Sequence, residues 1–165
     1  MTADAATPRF SEAALAEYRD ILGRYPTRRA ALMPTLWLAQ REFGWLSTPV
    51  QEYVAQLMEL PLAWVTSVAS FYTMYWKEPV GRWHLQLCRN LPCALRGAGE
   101  LRTLVRDTLG IGHGETTADG RFSFEEVECL ASCGTAPVLQ INNGAYHEGL
   151  DVEKVRTLLA RLAAE

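Results

Sequence analysis

The sequence predicts an α+β protein, with an N-terminal helical bundle over residues 1–78 followed by a small sheet-containing domain over residues 79–165. Three observations carry that prediction. Apolar residues recur at helical spacing up to about Tyr75, and at Pro79-Val80-Gly81 the period changes from about 3.6 to 2, as a strand requires. All four cysteines lie beyond the change, as Cys88 and Cys93 in Cys-Arg-Asn-Leu-Pro-Cys and as Cys129 and Cys133 in Cys-Leu-Ala-Ser-Cys. A cysteine complement used up by two short loops, C-x4-C and C-x3-C, asks for one shared centre.

Residues 1–10 are small and polar and read as a frayed lead-in until Ser11 offers an N-cap. Leu15, Tyr18, Ile21 and Leu22 then make a helix that stops near Gly23. Thr27 leads a second helical run with Leu32, Leu36, Ala39 and Phe43 on one stripe and Gly44 at the exit; Pro34 inside it predicts a kink or a late start. A third helix is expected with Thr48 as N-cap, Pro49 at the first helical position and Gln51 completing a capping box, and with Val50, Val54, Leu57 and Met58 buried. Leu62 to Ser70 reads as a short fourth helix, although Val65, Thr66 and Val68 are poor helix formers.

In the second part, Trp83, Leu85 and Leu87 alternate with His84, Gln86 and Cys88, which predicts a strand that delivers Cys88 at its end. Leu101, Leu104, Val105 and Leu109 mark a helix ending at Gly110, with Gly112 and Gly114 extending the turn. Phe122 to Glu128 is a second strand, delivering Cys129. A strand, a crossover helix and a strand imply a parallel pair with a right-handed connection. Val138 to Ile141 is a third strand, Asn142-Asn143-Gly144 a hairpin turn, and Ala145 to His147 an antiparallel edge strand. Asp151 caps a last helix whose Val152, Val155, Leu159 and Leu162 face the sheet. This order of strand, helix, strand, strand, strand, helix is that of a thioredoxin-like domain, with both cysteine pairs following the C-terminal ends of parallel strands, where open α/β folds place ligands.

Composition narrows the function. With 165 residues and 48% hydrophobic content the chain can bury a core, and a net charge of -3 gives no electrostatic footprint for nucleic acid or an anionic membrane. No apolar run reaches the roughly 18 residues of a spanning helix. The partner is expected to be protein or small molecule, and any membrane association to run through other subunits. No G-x-G-x-x-G, phosphate loop or nucleophile-base pair is present, so the chain is expected to carry electrons rather than transform a substrate.

Four thiolates can hold a tetrahedral zinc, an iron-sulfur cluster or two disulfides. Structural zinc favours C-x2-C knuckles, whereas a 2Fe-2S cluster takes two cysteines per iron and accepts longer loops. The N-terminus lacks a basic n-region and an apolar core of signal-peptide length, so a reducing compartment is expected, where structural disulfides are rare. Each pair is close enough in sequence to chelate one metal, Cys88 with Cys93 and Cys129 with Cys133. A cluster would need backbone N–H donors around its negative charge; Ala131, Ser132 and Gly134 are short enough to let the chain approach, and Leu91, Pro92, Leu130 and Pro137 would limit water, although ordinary loop and core packing explains each equally well. His84, His113 and His147 read as structural or exposed rather than as ligands. Phe71-Tyr72-Thr73-Met74-Tyr75-Trp76 reads as core joining bundle and sheet, with a docking surface as the alternative.

C-x4-C and C-x3-C in a thioredoxin-like ferredoxin domain behind a helical bundle resemble the small 2Fe-2S subunit of the NADH dehydrogenase module of respiratory complex I, NADH:quinone oxidoreductase. The resemblance spans about residues 15–160 and includes Arg29-Ala30-Ala31-Leu32-Met33-Pro34, Val68-Ala69-Ser70-Phe71-Tyr72, Leu109-Gly110-Ile111-Gly112, Val127-Glu128-Cys129-Leu130 and Ala136-Pro137-Val138. It implies one 2Fe-2S cluster held by Cys88, Cys93, Cys129 and Cys133, and a larger flavoprotein partner that binds FMN and NADH. It further implies membership of an oxidoreductase complex, with no catalysis by the isolated chain, and a cytoplasmic location, peripheral on the inner membrane through that complex. Similar subunits serve NAD-dependent formate dehydrogenases and NAD-reducing hydrogenases, and the quoted motifs do not separate these assemblies. A zinc-stabilised structural module is the alternative of another class.

Overall fold

The computed structural model describes residues 8–165. The chain divides into two compact units, Met1–Pro79 and Val80–Glu165. Most of the lead-in expected over residues 1–10 lies outside the described residues. Phe10, at its end, is buried rather than frayed: its ring stacks on Phe43 and meets Tyr53 edge-on, and its N–H donates to the Tyr53 hydroxyl at 3.0 Å.

Among the described residues the first unit is built from four helices. In α1 (Glu12–Gly23) the Ser11 hydroxyl accepts from Ala14 N–H, and the buried face carries Ala14, Tyr18 and Ile21. The second helix starts late. Thr27 opens a turn by accepting from Ala30 N–H at 3.2 Å, and α2 runs over Leu32–Phe43, which puts Pro34 in the first turn, where its missing N–H has no intrahelical partner to lose. In α3 (Thr48–Met58) the cap is Ser47, not Thr48: its hydroxyl accepts from Val50 N–H at 3.4 Å, and Pro49 sits inside the first turn. Gln51 closes no capping box there, because its side-chain amide donates instead to Leu46 O at 2.7 Å. The β-branched residues do not prevent α4 (Leu62–Phe71), since Val65 is fully buried and packing overrides its weak propensity. The buried side chains of Gln40 and Tyr75 have partners in this core. Gln40 donates to Met74 O at 3.0 Å and accepts from Trp76 N–H at 2.7 Å, and the Tyr75 hydroxyl donates to Met33 O at 2.9 Å. The aromatic run is therefore divided, with Tyr75 inside the bundle core and Phe71 77% exposed.

The second unit is a five-stranded mixed sheet whose strands, side by side, are β2 (Glu115–Thr116), β3 (Phe122–Val127), β1 (Trp83–Cys88), β4 (Leu139–Ile141) and β5 (Tyr146–His147). β1 pairs parallel with β3 and antiparallel with β4; β5 forms the antiparallel edge. Asn142 and Asn143 take positive φ, 54° and 55°, as the hairpin turn demands. Two elements go beyond the sequence expectation: the one-turn α5 (Leu91–Leu95) inside the first cysteine loop, and β2 (Glu115–Thr116), which pairs antiparallel with β3. Both are too short to show a period. α6 (Ala98–Leu109) and α7 (Val152–Ala164, capped by Asp151) bury Leu101, Val105, Val155 and Leu159 in one apolar cluster with Leu85, Leu87, Phe122 and Phe124. His84 and Gln86 of β1 and Ser123 of β3 form a polar but buried row, with the half-buried Glu125 beside them. There His84 bonds Ser123 through Nδ1 at 2.7 Å and Glu125 through Nε2 at 3.0 Å.

Candidate functional site

The parallel pairing of β1 and β3 sets Cys88 opposite Val127, so both cysteine loops leave the same end of the sheet. Cys88 is anchored as the last residue of its strand, its N–H donating to Val138 O at 3.1 Å. The Asn90 side chain accepts from Leu91 N–H at 2.7 Å and caps α5, and that single turn brings Cys93 back beside Cys88. The pair is 3% and 2% exposed, enclosed by Ala98, Ala136 and Val138 with Leu130 against them. Burial, reinforced by the hydrogen bond shared with Cys88, pushes the Cys93 thiol up to about 11, while a backbone hydrogen bond from Val138 acts the other way. The Cys88 thiol donates to Glu128 O at 3.7 Å, which ties the first loop to the root of the second.

The second pair is exposed. Ala131 adopts φ of 60°, an unusual value for a residue with a side chain, and its N–H donates to Cys129 Sγ at 3.3 Å. Cys133 opens a 3-10 turn, Cys133–Thr135. That turn is held from the segment ahead of α7: Gly149 N–H donates to Thr135 O at 2.6 Å, Leu150 N–H to Pro137 O at 3.2 Å, and the Ser132 and Thr135 hydroxyls both reach the Glu148 carboxylate. From the first loop, Arg96 Nε donates to Ala136 O at 3.1 Å, and Arg89 pairs with Glu128.

Cys88 and Cys93 are thus in contact, and Cys133 lies close enough for its charge to act on Cys93; Cys129, like Cys133, is exposed. Among the described residues no three His, Cys, Asp or Glu side chains are already closed around a metal position. The donor set nevertheless fits an iron-sulfur centre: four free thiols in two loops at one sheet end, one pair fixed in apolar packing, the other on the surface, and a backbone N–H already aimed at a sulfur. Among the residues expected to limit water, Pro137 is buried and Pro92 and Leu130 are half-buried, but Leu91 is 66% exposed because its place on α5 turns it outward; Ala136 and Val138 exclude water instead. The histidines are engaged elsewhere, His84 in the polar row and His113 accepting from Glu126 N–H at 2.9 Å, while His147 lies on β5 with its pKa lowered by burial and by Arg161. Glu148 and Arg96 were not singled out by sequence, since each meets its partners only through the tertiary fold.

The profile of the thioredoxin-like 2Fe-2S ferredoxins matches residues 18–163. The chain is 48% identical over 141 residues to an NADH-quinone oxidoreductase subunit of Rhizobium meliloti, covering 86% of this chain and 83% of that one. It is 46% identical over 147 residues to a second NADH-quinone oxidoreductase subunit, that of Thermus thermophilus, covering 88% and 81%. Among solved structures, an NAD+-reducing NiFe hydrogenase in the air-oxidized state superposes with a TM-score of 0.71 at 22% identity, over 81% of this chain and 23% of that longer chain. At that identity the likeness carries the fold alone.

Proposed function

This chain belongs to the thioredoxin-like 2Fe-2S ferredoxin family, and from that premise we propose that Cys88, Cys93, Cys129 and Cys133 are the ligands of its single 2Fe-2S cluster. It is an electron-transfer subunit of an NADH-oxidising oxidoreductase. Relatives at 42–48% identity that bear the name NADH-quinone oxidoreductase favour the respiratory, quinone-reducing assembly over a formate dehydrogenase or a hydrogenase. The observation that carries the site is the meeting of two cysteine loops at one end of a parallel strand pair, with every thiol free.

When bound, the cluster supplies a one-electron carrier. The chain's own residues supply the surroundings. Cys88 and Cys93 hold one iron from the packed side, where Ala98, Ala136 and Val138 keep water away; Cys129 and Cys133 hold the other from the exposed side, with Ala131 N–H donating to sulfur. The partner is a flavoprotein subunit that carries FMN and binds NADH, from which this chain accepts electrons. Leu91 and Leu95, one turn apart on α5 and 66% and 78% exposed, give the cysteine end an apolar rim suited to such a contact. In the first unit Phe71 and Tyr72 are exposed and support an assembly role for the bundle. No helix among the described residues is long and apolar enough to cross a membrane, and we place the chain on the cytoplasmic face of the inner membrane through its complex.

The test is anaerobic mixing with NADH and the isolated flavoprotein. Reduction of this chain, followed by its paramagnetic signal, is expected only with both present. Ala at any of the four cysteines should abolish or severely deplete bound iron. NADH oxidation by this chain alone would overturn the carrier role, and an iron-replete Ala variant of unchanged spectrum would exclude that cysteine as a ligand.

A further inference from the structure

We propose that Glu148 is a positioning residue that keeps the reduction potential of the bound cluster low, by drawing the Ser132 hydroxyl away from the cysteine sulfurs and by setting a negative charge against the Cys129–Cys133 loop. The inference rests on the cluster assignment above. Ser132 lies inside C-x3-C, between two ligands, so its hydroxyl is placed to donate to a cysteine sulfur, and hydrogen bonds to the sulfurs raise the potential. In the structure that hydroxyl reaches the Glu148 carboxylate instead, and Thr135 Oγ1 meets the same oxygen, Oε1, at 2.8 Å. A carboxylate has no proton to give, and a hydroxyl has one. Ser132 Oγ and Thr135 Oγ1 also lie 2.8 Å apart, and Thr135 Oγ1 reaches Ser132 O at 3.3 Å, so both hydroxyl protons are directed at oxygens of this cluster and neither at a sulfur.

The carboxylate is held in place by its neighbours in the chain. Gly149 N–H donates to Thr135 O at 2.6 Å, Leu150 N–H to Pro137 O at 3.2 Å, and Lys154 Nζ to Gly149 O at 2.6 Å. The segment 148–150 is thus docked by backbone on the turn that follows Cys133. Glu148 is exposed, so its direct field is partly screened, and the hydroxyl commitment carries most of the effect.

The experiment is a mediated redox titration of the iron-loaded full chain, read by the paramagnetic signal of the reduced form, for the parent, E148Q, E148A, S132A and E148A/S132A. E148Q keeps an accepting oxygen but not the charge, so the potential should rise modestly at unchanged iron content. E148A also releases the Ser132 proton, so the potential should rise further, and the second substitution in E148A/S132A should reverse part of that rise. S132A alone should stay near the parent, because its hydroxyl makes no sulfur bond to lose. If E148A loads iron poorly, E148Q still decides. Iron-loaded E148Q at or below the parent potential, or S132A well below it, would overturn the role given to Glu148 while leaving the cluster intact. A parent protein without iron and sulfide would overturn the cluster assignment itself.

Discussion

The Cys93 thiol, pushed up to about 11 mainly by burial, holds its proton throughout the physiological range unless a metal takes the sulfur. Loading therefore competes with protons, and the metal-free chain is expected to take up iron better as pH rises toward that value. The same chemistry divides the four thiols once metal is stripped under reducing conditions. Cys129 and Cys133 are exposed, whereas Cys93 is buried and short of thiolate. Alkylation at pH 8 followed by peptide mass mapping should find the exposed pair modified at least about tenfold faster than Cys93. Equal rates would show that the first loop is open in the metal-free protein. The candidate ligands were legible in the sequence because thiol chemistry is carried by residue type and close spacing. Glu148 was not, because its importance comes from the fold bringing it to Ser132 and Thr135, and an isolated Glu-Gly before a helix cap carries no signal of that.

Among the elements, the β1–β3 pair sets the distance between the cysteine loops, and two features guard it. Gly81 lies so close to β3 that an added Cβ would meet Phe122 C at 2.5 Å and Ser123 N at 2.7 Å, both backbone atoms that cannot swing aside. G81A should cost about 1–3 kcal/mol in urea unfolding of the second unit; an unchanged midpoint would contradict this close approach. The second feature is the row Ser123, His84, Glu125. Gly81 N–H donates to Ser123 Oγ at 3.0 Å, and the ring nitrogens of His84 bridge Ser123 and Glu125. The hydrogen bond from His84 holds the Glu125 carboxyl below the usual carboxylate range, against the opposing effect of burial. A depressed carboxyl stabilises the fold above its unfolded pKa and loses that contribution as pH falls through the folded value. E125Q should therefore unfold more easily than the parent at pH 7, with the gap narrowing below about pH 4; a gap that widens in acid would reverse the sign. Element existence was readable wherever a period ran for several residues, as in α1, α6, α7, β1 and β3. What escaped was short or ambiguous in chemistry. A five-residue helix and a two-residue strand show no period, and the adjacent hydroxyls of Ser47 and Thr48 are both good caps, so only the accepted Val50 N–H separates them.

The whole molecule has a separate apolar core in each unit, one containing Leu36, Val54, Val65 and Tyr75, the other Leu85, Phe124, Val105 and Leu159. A unit with its own core can fold alone, so residues 80–165 expressed by themselves should remain monomeric and carry the cluster. We propose the first unit as an assembly module, and on that proposal the truncated chain binds the flavoprotein much more weakly than the full chain in a titration. Undiminished affinity would remove the assembly role, and an aggregated truncation would show that the bundle is needed to cover the sheet. We propose that four thiols at one end of a thioredoxin-like sheet hold a single redox centre. Metal and acid-labile sulfide analysis of anaerobically purified full-length chain, combined with its visible spectrum before and after reduction, decides this. A red-brown protein with about two irons and two sulfides per chain, bleached by one electron, is the expected result. A colourless protein holding one zinc would contradict it.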